Sequence, residues 1–208
     1  MQGIFKNLLK DALKAIRLVL ILWIITAVIY PLFILFVGQN FFPFQANGSM
    51  QSYLEGNEPI GSTLIGQRFF SDEYFQSRPS QVKYSLGKKA KPNGISGASN
   101  FAPENSALIE RVKQETAFLA DESIPPLADL IYSSASGLDP HISLEAAEKQ
   151  VQRVSRARGL QQDEEQDLYK LIRQHTDNRF ISIFGEPGVN LLKLNYKLDI
   201  KEFTRPGN

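Results

Sequence analysis

From Leu18 to Val37 the chain reads LVLILWIITAVIYPLFILFV, twenty residues without a charge, and no charge occurs anywhere between Arg17 and Glu55. A helix rising ~1.5 Å per residue covers about 30 Å over such a run, the thickness of bilayer hydrocarbon. Pro31 interrupts the run, which membrane helices tolerate when neighbouring helices re-satisfy the backbone. A cleaved signal peptide would have an apolar core of about 7–15 residues ending at a small-x-small site. Here the core is longer, and the nearest such triplet, Ala46-Asn47-Gly48, lies well beyond it. The pattern predicts one uncleaved transmembrane helix over 18–37.

Past the span the pattern changes to that of a soluble α+β domain over 38–208. Residues 38–106 are rich in Gly, Ser, Asn, Pro and aromatics. Short strands are expected at Ser62–Ile65 and around Tyr74–Phe75, and a long loop over Gly87–Asn105. About three helices follow. Asn105 caps one over Leu108, Val112 and Leu119, with Pro125-Pro126 closing that region. Ser143 opens the second. Its acidic start (Glu145, Glu148), basic end (Arg153, Arg156, Arg158) and Gly159 match the helix dipole and a C-terminal stop. Asp163 caps the third, with Leu168, Leu171 and Ile172 inward and His175 near its end. Finally, Leu192, Leu194, Tyr196, Leu198 and Ile200 alternate with polar residues, a period of two. With Phe180–Phe184 and the turn Glu186-Pro187-Gly188-Val189, this predicts a C-terminal antiparallel hairpin.

The net charge of +1 over 208 residues conceals an asymmetry. Residues 1–17 carry Lys6, Lys10, Lys14 and Arg17 against Asp11, a net +3, whereas 38–208 sum to −2. The positive-inside rule makes 1–17 a cytoplasmic basic arm and 38–208 extracytoplasmic, with the chain single-pass in the cell (inner) membrane. The arm itself is read either as an amphipathic helix on the inner leaflet or as a solvated flank. Phe41, Phe42 and Phe44 stand where aromatic residues mark the outer interface. The absence of cysteine excludes a disulfide scaffold, a thiolate metal site and a catalytic thiol.

Catalytic signals are weak. Gly87-Lys88-Lys89 lacks the spacing and the Ser/Thr of a phosphate-binding loop, and there is no aspartyl-phosphorylation run. Ser96 in GISGAS lacks the G-x-S-x-G elbow. His141 in Asp139-Pro140-His141 reads as a turn residue before the Ser143 cap rather than one member of a metal site, which needs several convergent ligands. His175 reads as a cation near a helix end. No catalytic or metal-binding residue is assigned.

Six stretches occur in order: GSTLIGQ (61–67), YFQSRPS (74–80), SGASNFAPEN (96–105), SGLDPHIS (136–143), QVQRVSRARG (150–159) and GEPGVNLLKLN (185–195). With the N-terminal span, they resemble the C subunit of the Kdp potassium-transporting P-type ATPase over nearly the whole chain. Two positions depart from that pattern: Ala98 where the family usually has a second Gly, and Gly188 where an Arg often follows the Pro. The resemblance implies a non-catalytic subunit of an ATP-driven K+ uptake complex, needed for assembly and activity. It further implies a catalytic chaperone that raises the ATP affinity of the hydrolysing subunit. The implied partners are a channel-like K+-selecting subunit, the ATP-hydrolysing P-type subunit and a small hydrophobic subunit. ATP and K+ then act in the complex, with no intrinsic cofactor. Gln150 matches the glutamine given a nucleotide role, its bland alternative being a surface helix residue. Arg78, Asn100, Asp139, His141 and Arg153 are candidates for assembly and recognition. The alternative from another class is a membrane-anchored extracytoplasmic binding module unrelated to transport.

Overall fold

In hydrocarbon a helix satisfies its own backbone, and the apolar run forms one. The computed structural model describes residues 2–52, 59–82, 95–179 and 181–203. Two units separate, Met1–Met50 and Gln51–Asn208. In the first, α1 (Gln2–Ile24) passes through a π-helical turn (Ile25–Ile29) into α2 (Tyr30–Phe41), followed by the short α3 (Pro43–Ala46). The expected span 18–37 lies inside an apolar helix of 36 residues, Lys6–Phe41, the one candidate membrane span among the described residues. The basic arm is therefore continuous with the span helix and not a separate helix after a break. The π turn lies just before Pro31, whose ring lacks an N–H. There the Tyr30 N–H bonds to the Ile25 carbonyl, and the Thr26 hydroxyl donates to the Leu22 carbonyl at 2.8 Å.

The second unit mixes helix and strand. Its elements are β1 (Met50–Ser52, starting at the junction), β2 (Pro59–Ser62), α4 (Ser106–Asp121), α5 (Ala128–Ile131), β3 (His141–Ile142), α6 (Leu144–Ala157), α7 (Gln162–Gln174), β4 (Thr176–Asp177), β5 (Gly188–Asn190) and α8 (Leu191–Phe203). β5 is central in an antiparallel sheet ordered β3-β5-β4. Ile142 pairs with Val189, and Thr176 with the same Val189 on the other side. Phe75, Val151, Val154, Ile172, Val189 and Leu194 are fully buried at the centre of the core.

The three expected helices form. Asn105 caps α4 by accepting from the Ala107 N–H at 2.9 Å, and Ser143 caps α6 by accepting from the Ala146 N–H at 3.2 Å. Gly159 follows α6 with φ +63°, the left-handed stop that favours glycine. The cap of α7 differs: the helix starts at Gln162, and the Glu164 carboxylate accepts from the Gln161 N–H at 2.8 Å, leaving Asp163 inside the first turn.

The strand expectations need correction. Leu191–Phe203 is the helix α8, not the second arm of a hairpin. The alternation concealed a helical stripe, Leu191, Leu194, Asn195 and Leu198, all nearly inaccessible. Because Leu192 and Tyr196 are buried as well, α8 is enclosed on several sides, and its apolar residues mimic a strand pattern. An antiparallel hairpin near the C-terminus does exist, but it joins β4 to β5, while 181–183 form a turn and Phe180 lies outside the described residues. The strand expected at Ser62–Ile65 instead ends at Ser62. Of the expected loop, 87–94 lies outside the described residues and 95–105 is irregular.

Candidate functional site

Side chains from two helices build a cradle around segment 72–76, a turn at 71–74 that runs on into irregular chain. α6 supplies Gln150, Arg153 and Arg158, its C-cap; α8 supplies Asn195 and Asp199. The Asn195 amide takes the whole backbone of Phe75: its Oδ1 accepts from the Phe75 N–H at 3.0 Å and its Nδ2 donates to the Phe75 carbonyl at 3.0 Å. Gln150 does the same one residue on. Its Oε1 accepts from the Gln76 N–H at 2.7 Å and its Nε2 donates to the Gln76 carbonyl at 3.2 Å. The backbone groups of Phe75 and Gln76 are thus satisfied by amide side chains in place of a neighbouring strand. Tyr74–Phe75, expected as a strand, pairs with none: Tyr74 closes a turn by donating to the Ser71 carbonyl at 3.1 Å, and Asn195 takes up Phe75.

Gln150 is only 1% exposed. Its Oε1 also accepts from Arg153 Nη2 at 2.8 Å, and its Nε2 also reaches the Ala146 carbonyl at 3.3 Å. A primary amide offers two donor hydrogens and two acceptor lone pairs. All are engaged within the fold.

Arg153, 5% exposed, donates from Nη1 to the Asp72 carbonyl and from Nη2 to the Tyr74 carbonyl, both at 3.0 Å. Burial lowers its pKa, with Asp72 and Glu122 pulling the other way. A guanidinium stays charged despite such a shift. Arg158 continues the series. Its Nε donates to the Glu73 carbonyl at 2.6 Å, its Nη2 pairs with Asp199 at 2.9 Å, and its guanidinium lies 5.0 Å from the Tyr74 ring centroid. The Tyr74 hydroxyl closes the circuit by donating to Asp199 at 3.1 Å.

A second cluster gathers other predicted residues. Arg78 pairs with Asp139 at 3.1 Å, both side chains being half-buried. Asp139 Oδ1 accepts from the His141 N–H at 3.0 Å, fixing the turn into β3. The His141 ring lies between Asp139, 3.8 Å from Nδ1, and Asp177, 3.3 Å from Nε2. Asn100 stands apart from this cluster. It is exposed, with φ +52°, a left-handed conformation that Asn tolerates better than most residues. Its loop is held at Gly97, whose N–H donates to the Ser136 carbonyl at 2.8 Å. A Cβ on Gly137 would come within 2.7 Å of the Gly97 carbonyl oxygen. The glycine there allows the two loops to meet. Ala98, one of the departures, is partly buried in the same loop.

The six stretches that carry the resemblance therefore bind each other. Gly66 N–H donates to the Leu138 carbonyl at 2.7 Å, and Asn190 Nδ2 to the Thr63 carbonyl at 2.7 Å. Sequence reasoning missed Asn195, Asn190 and Arg158 as organisers. A buried Asn on the apolar stripe of α8 was the available signal.

The two histidines are shifted in opposite directions. The Asp139 hydrogen bond raises the pKa of His141 against the opposing effect of burial, with Asp177 adding to the rise. Burial lowers that of His175, helped by Lys197 and Lys193. At Asp139 burial works upward, but the His141 hydrogen bonds and Arg78 outweigh it and hold the carboxyl below its usual range. The His141 contribution to stability is thus full below the unfolded value of ~6.5 and is lost as pH rises through its folded value. For His175 the sign reverses: stability is full above the unfolded value and falls as pH drops below it. An NMR titration of the two imidazoles is expected to give midpoints on either side of that of a free histidine. Asp177→Asn lowers both, His141 further, because its hydrogen bond to Asp177 loses a charged acceptor. Coincident midpoints would contradict the geometry.

A family model described as "K+-transporting ATPase, c chain" matches residues 12–200. Potassium-transporting ATPase KdpC subunit 2 of a Nostoc species is 58% identical over 202 residues, covering 97% of this chain and 100% of that protein. The KdpC subunit of an Anabaena species is 55% identical, with 97% and 99% coverage. That of Geobacter sulfurreducens is 43% identical, with 92% and 98% coverage.

Proposed function

Since this chain belongs to the KdpC family, the c chains of K+-transporting ATPases, we propose that it is a non-catalytic, single-pass subunit whose folded domain works outside the cytoplasm. Its partners are a channel-like K+-selecting subunit, the ATP-hydrolysing P-type subunit and a small hydrophobic subunit. It supports assembly and raises the apparent ATP affinity of the hydrolysing subunit through conformation, without touching nucleotide. The observation that carries this reading is Gln150: an inaccessible amide with every donor and acceptor used has none left for an adenine edge. The basic arm supports it further, since N-in orientation puts the domain across the membrane from ATP. Linkage needs no contact. A subunit that binds one conformation of the complex better than another shifts the population that binds ATP, and a tenfold effect takes about 1.4 kcal/mol of coupling.

Two measurements test this. With Asn208→Cys in this cysteine-free chain, a membrane-impermeant thiol reagent is expected to label intact cells; labelling only after lysis would reverse the orientation. Calorimetric titration of the full-length chain in detergent with ATP is expected to show no saturable binding. Micromolar binding by a folded chain, lost on Gln150→Leu, would sink the indirect mechanism.

A further inference from the structure

After Asp177 on β4 the chain leaves the sheet, and it rejoins it at Gly188 on β5. Every described residue between the two is exposed. The tip of this loop nevertheless carries Ile181, Ile183 and Phe184, at 67%, 69% and 65% exposure. Single exposed apolar residues are ordinary, whereas a contiguous cluster marks a surface that something else covers.

The tip is also held in a costly conformation. Ile181 and Ser182 have φ +53° and +61°, and the Ser182 N–H closes the turn by donating to the Arg179 carbonyl at 3.0 Å. Consecutive left-handed residues in a hairpin turn favour Asn and Gly. A β-branched residue there is an outlier. Ile181 thus strains the fold and buries nothing within it; its side chain gains only where an apolar medium receives it.

Behind the tip the surface is cationic. Arg179 precedes the turn, and Lys193 and Lys197 stand one turn apart on the same face of α8. Lys193 Nζ lies 3.6 Å from Asp177 at the base of the hairpin. Both lysines act on His175, just before β4. These three cations face the carboxylates of Asp177 and Glu186, a local excess of positive charge in a domain that sums to −2. Apolar side chains in front and cations set back from them suit a membrane interface: the former pass the headgroups and the latter stay among the phosphates. A standard protein interface takes about 20–30 residues a side, far more than a protruding turn presents.

We propose that the 181–184 tip of the β4–β5 hairpin inserts into the surface of a bilayer containing anionic phospholipid. Ile181, Ile183 and Phe184 enter the acyl boundary, and Arg179, Lys193 and Lys197 meet the headgroups. Such a contact is weak by itself, but a chain that carries its own membrane span makes it at high effective concentration. The inference needs the chain to be held at a bilayer; it needs no particular orientation and no effect on ATP.

The test uses the full-length chain in nanodiscs of phosphatidylcholine and phosphatidylglycerol. The chain has no cysteine, so Ile183→Cys takes a single environment-sensitive fluorophore, with Lys113→Cys, exposed on α4, as the reference. Lipid brominated on the acyl chains is expected to remove most of the emission at 183 and to leave that at 113 unchanged. Phosphatidylcholine alone, or high salt, is expected to weaken the quenching at 183. Joining Ile181→Asn and Phe184→Ser to the labelled variant is expected to cut that quenching several-fold. Ile181→Asn by itself is expected to raise the urea midpoint in detergent, because Asn accepts the left-handed region more readily; a residue that served only the fold would lower it. If circular dichroism shows that the label at 183 disturbs folding, Phe184→Cys takes its place. Equal quenching at 183 and 113 would overturn the proposal. So would a blue-shifted emission at 183 that brominated lipid leaves untouched, the sign of a protein surface covering the tip, or quenching indifferent to loss of the apolar side chains.

Discussion

Gln150→Ala is expected to destabilise the folded domain by roughly 3 kcal/mol, because several buried polar groups lose their partner at once and each unsatisfied group costs about 1–3 kcal/mol. The groups left behind are the N–H and carbonyl of Gln76, and an acceptor for Arg153 disappears. Against a typical domain stability of about 5–15 kcal/mol, that is a large fraction. Urea unfolding of the full-length chain, followed by circular dichroism, measures it. A variant as stable as the parent would remove the structural account of this residue. The comparison with Asn195 separates the two roles open to Gln150. Asn195 performs the same service for Phe75 from α8. If Gln150 acts through segment 72–76, Asn195→Ala lowers the apparent ATP affinity of the assembled complex in the same way. An effect confined to Gln150 would point to a private role for that side chain.

The second large effect is expected from Asn195→Asp, an isosteric change. The new carboxylate still accepts from the Phe75 N–H, but it can no longer donate to the Phe75 carbonyl and turns an oxygen towards it. The position is 1% exposed. An unpaired buried charge of this kind shifts its pKa upward and neutralises where it can. A cost of about 3 kcal/mol at neutral pH is expected from the lost donor and the buried charge. The protonated acid can donate again, so the cost shrinks in acid. The folded pKa of the introduced group lies above its unfolded value near 3.9, and relative stability falls as pH rises from the unfolded to the folded value. Urea midpoints measured across that range, with the parent chain as reference, check the slope. A difference independent of pH would mean that Asn195 does not donate to Phe75.

How legible the fold was depended on how local its causes are. The starts of α4 and α6 follow from Asn105 and Ser143, whose caps reach two and three residues along the chain. Gly159 ends α6 for an equally local reason. The error at α8 has a different origin: a helix enclosed on several sides buries Leu192 and Tyr196 as well as its main stripe, so the period of burial disappears. Gln150 could be singled out only by resemblance. Its bonding partner lies 74 residues away, and that of Asn195 lies 120 away. No window of sequence contains both members of either pair. The Arg78–Asp139 pair, separated by 61 positions, was hidden in the same way.

Those separations also set an order of events during synthesis. A ribosome adds about 5–20 residues per second, so Phe75 precedes Asn195 by roughly 6–24 s. Throughout that interval the backbone of segment 72–76 has no native partner from α8, and for the first part of it none from α6 either. Nascent chains released before residue 195 carry an open edge where the finished protein has a closed one. Helix α8 is thus the latch for segment 72–76, which has long been waiting.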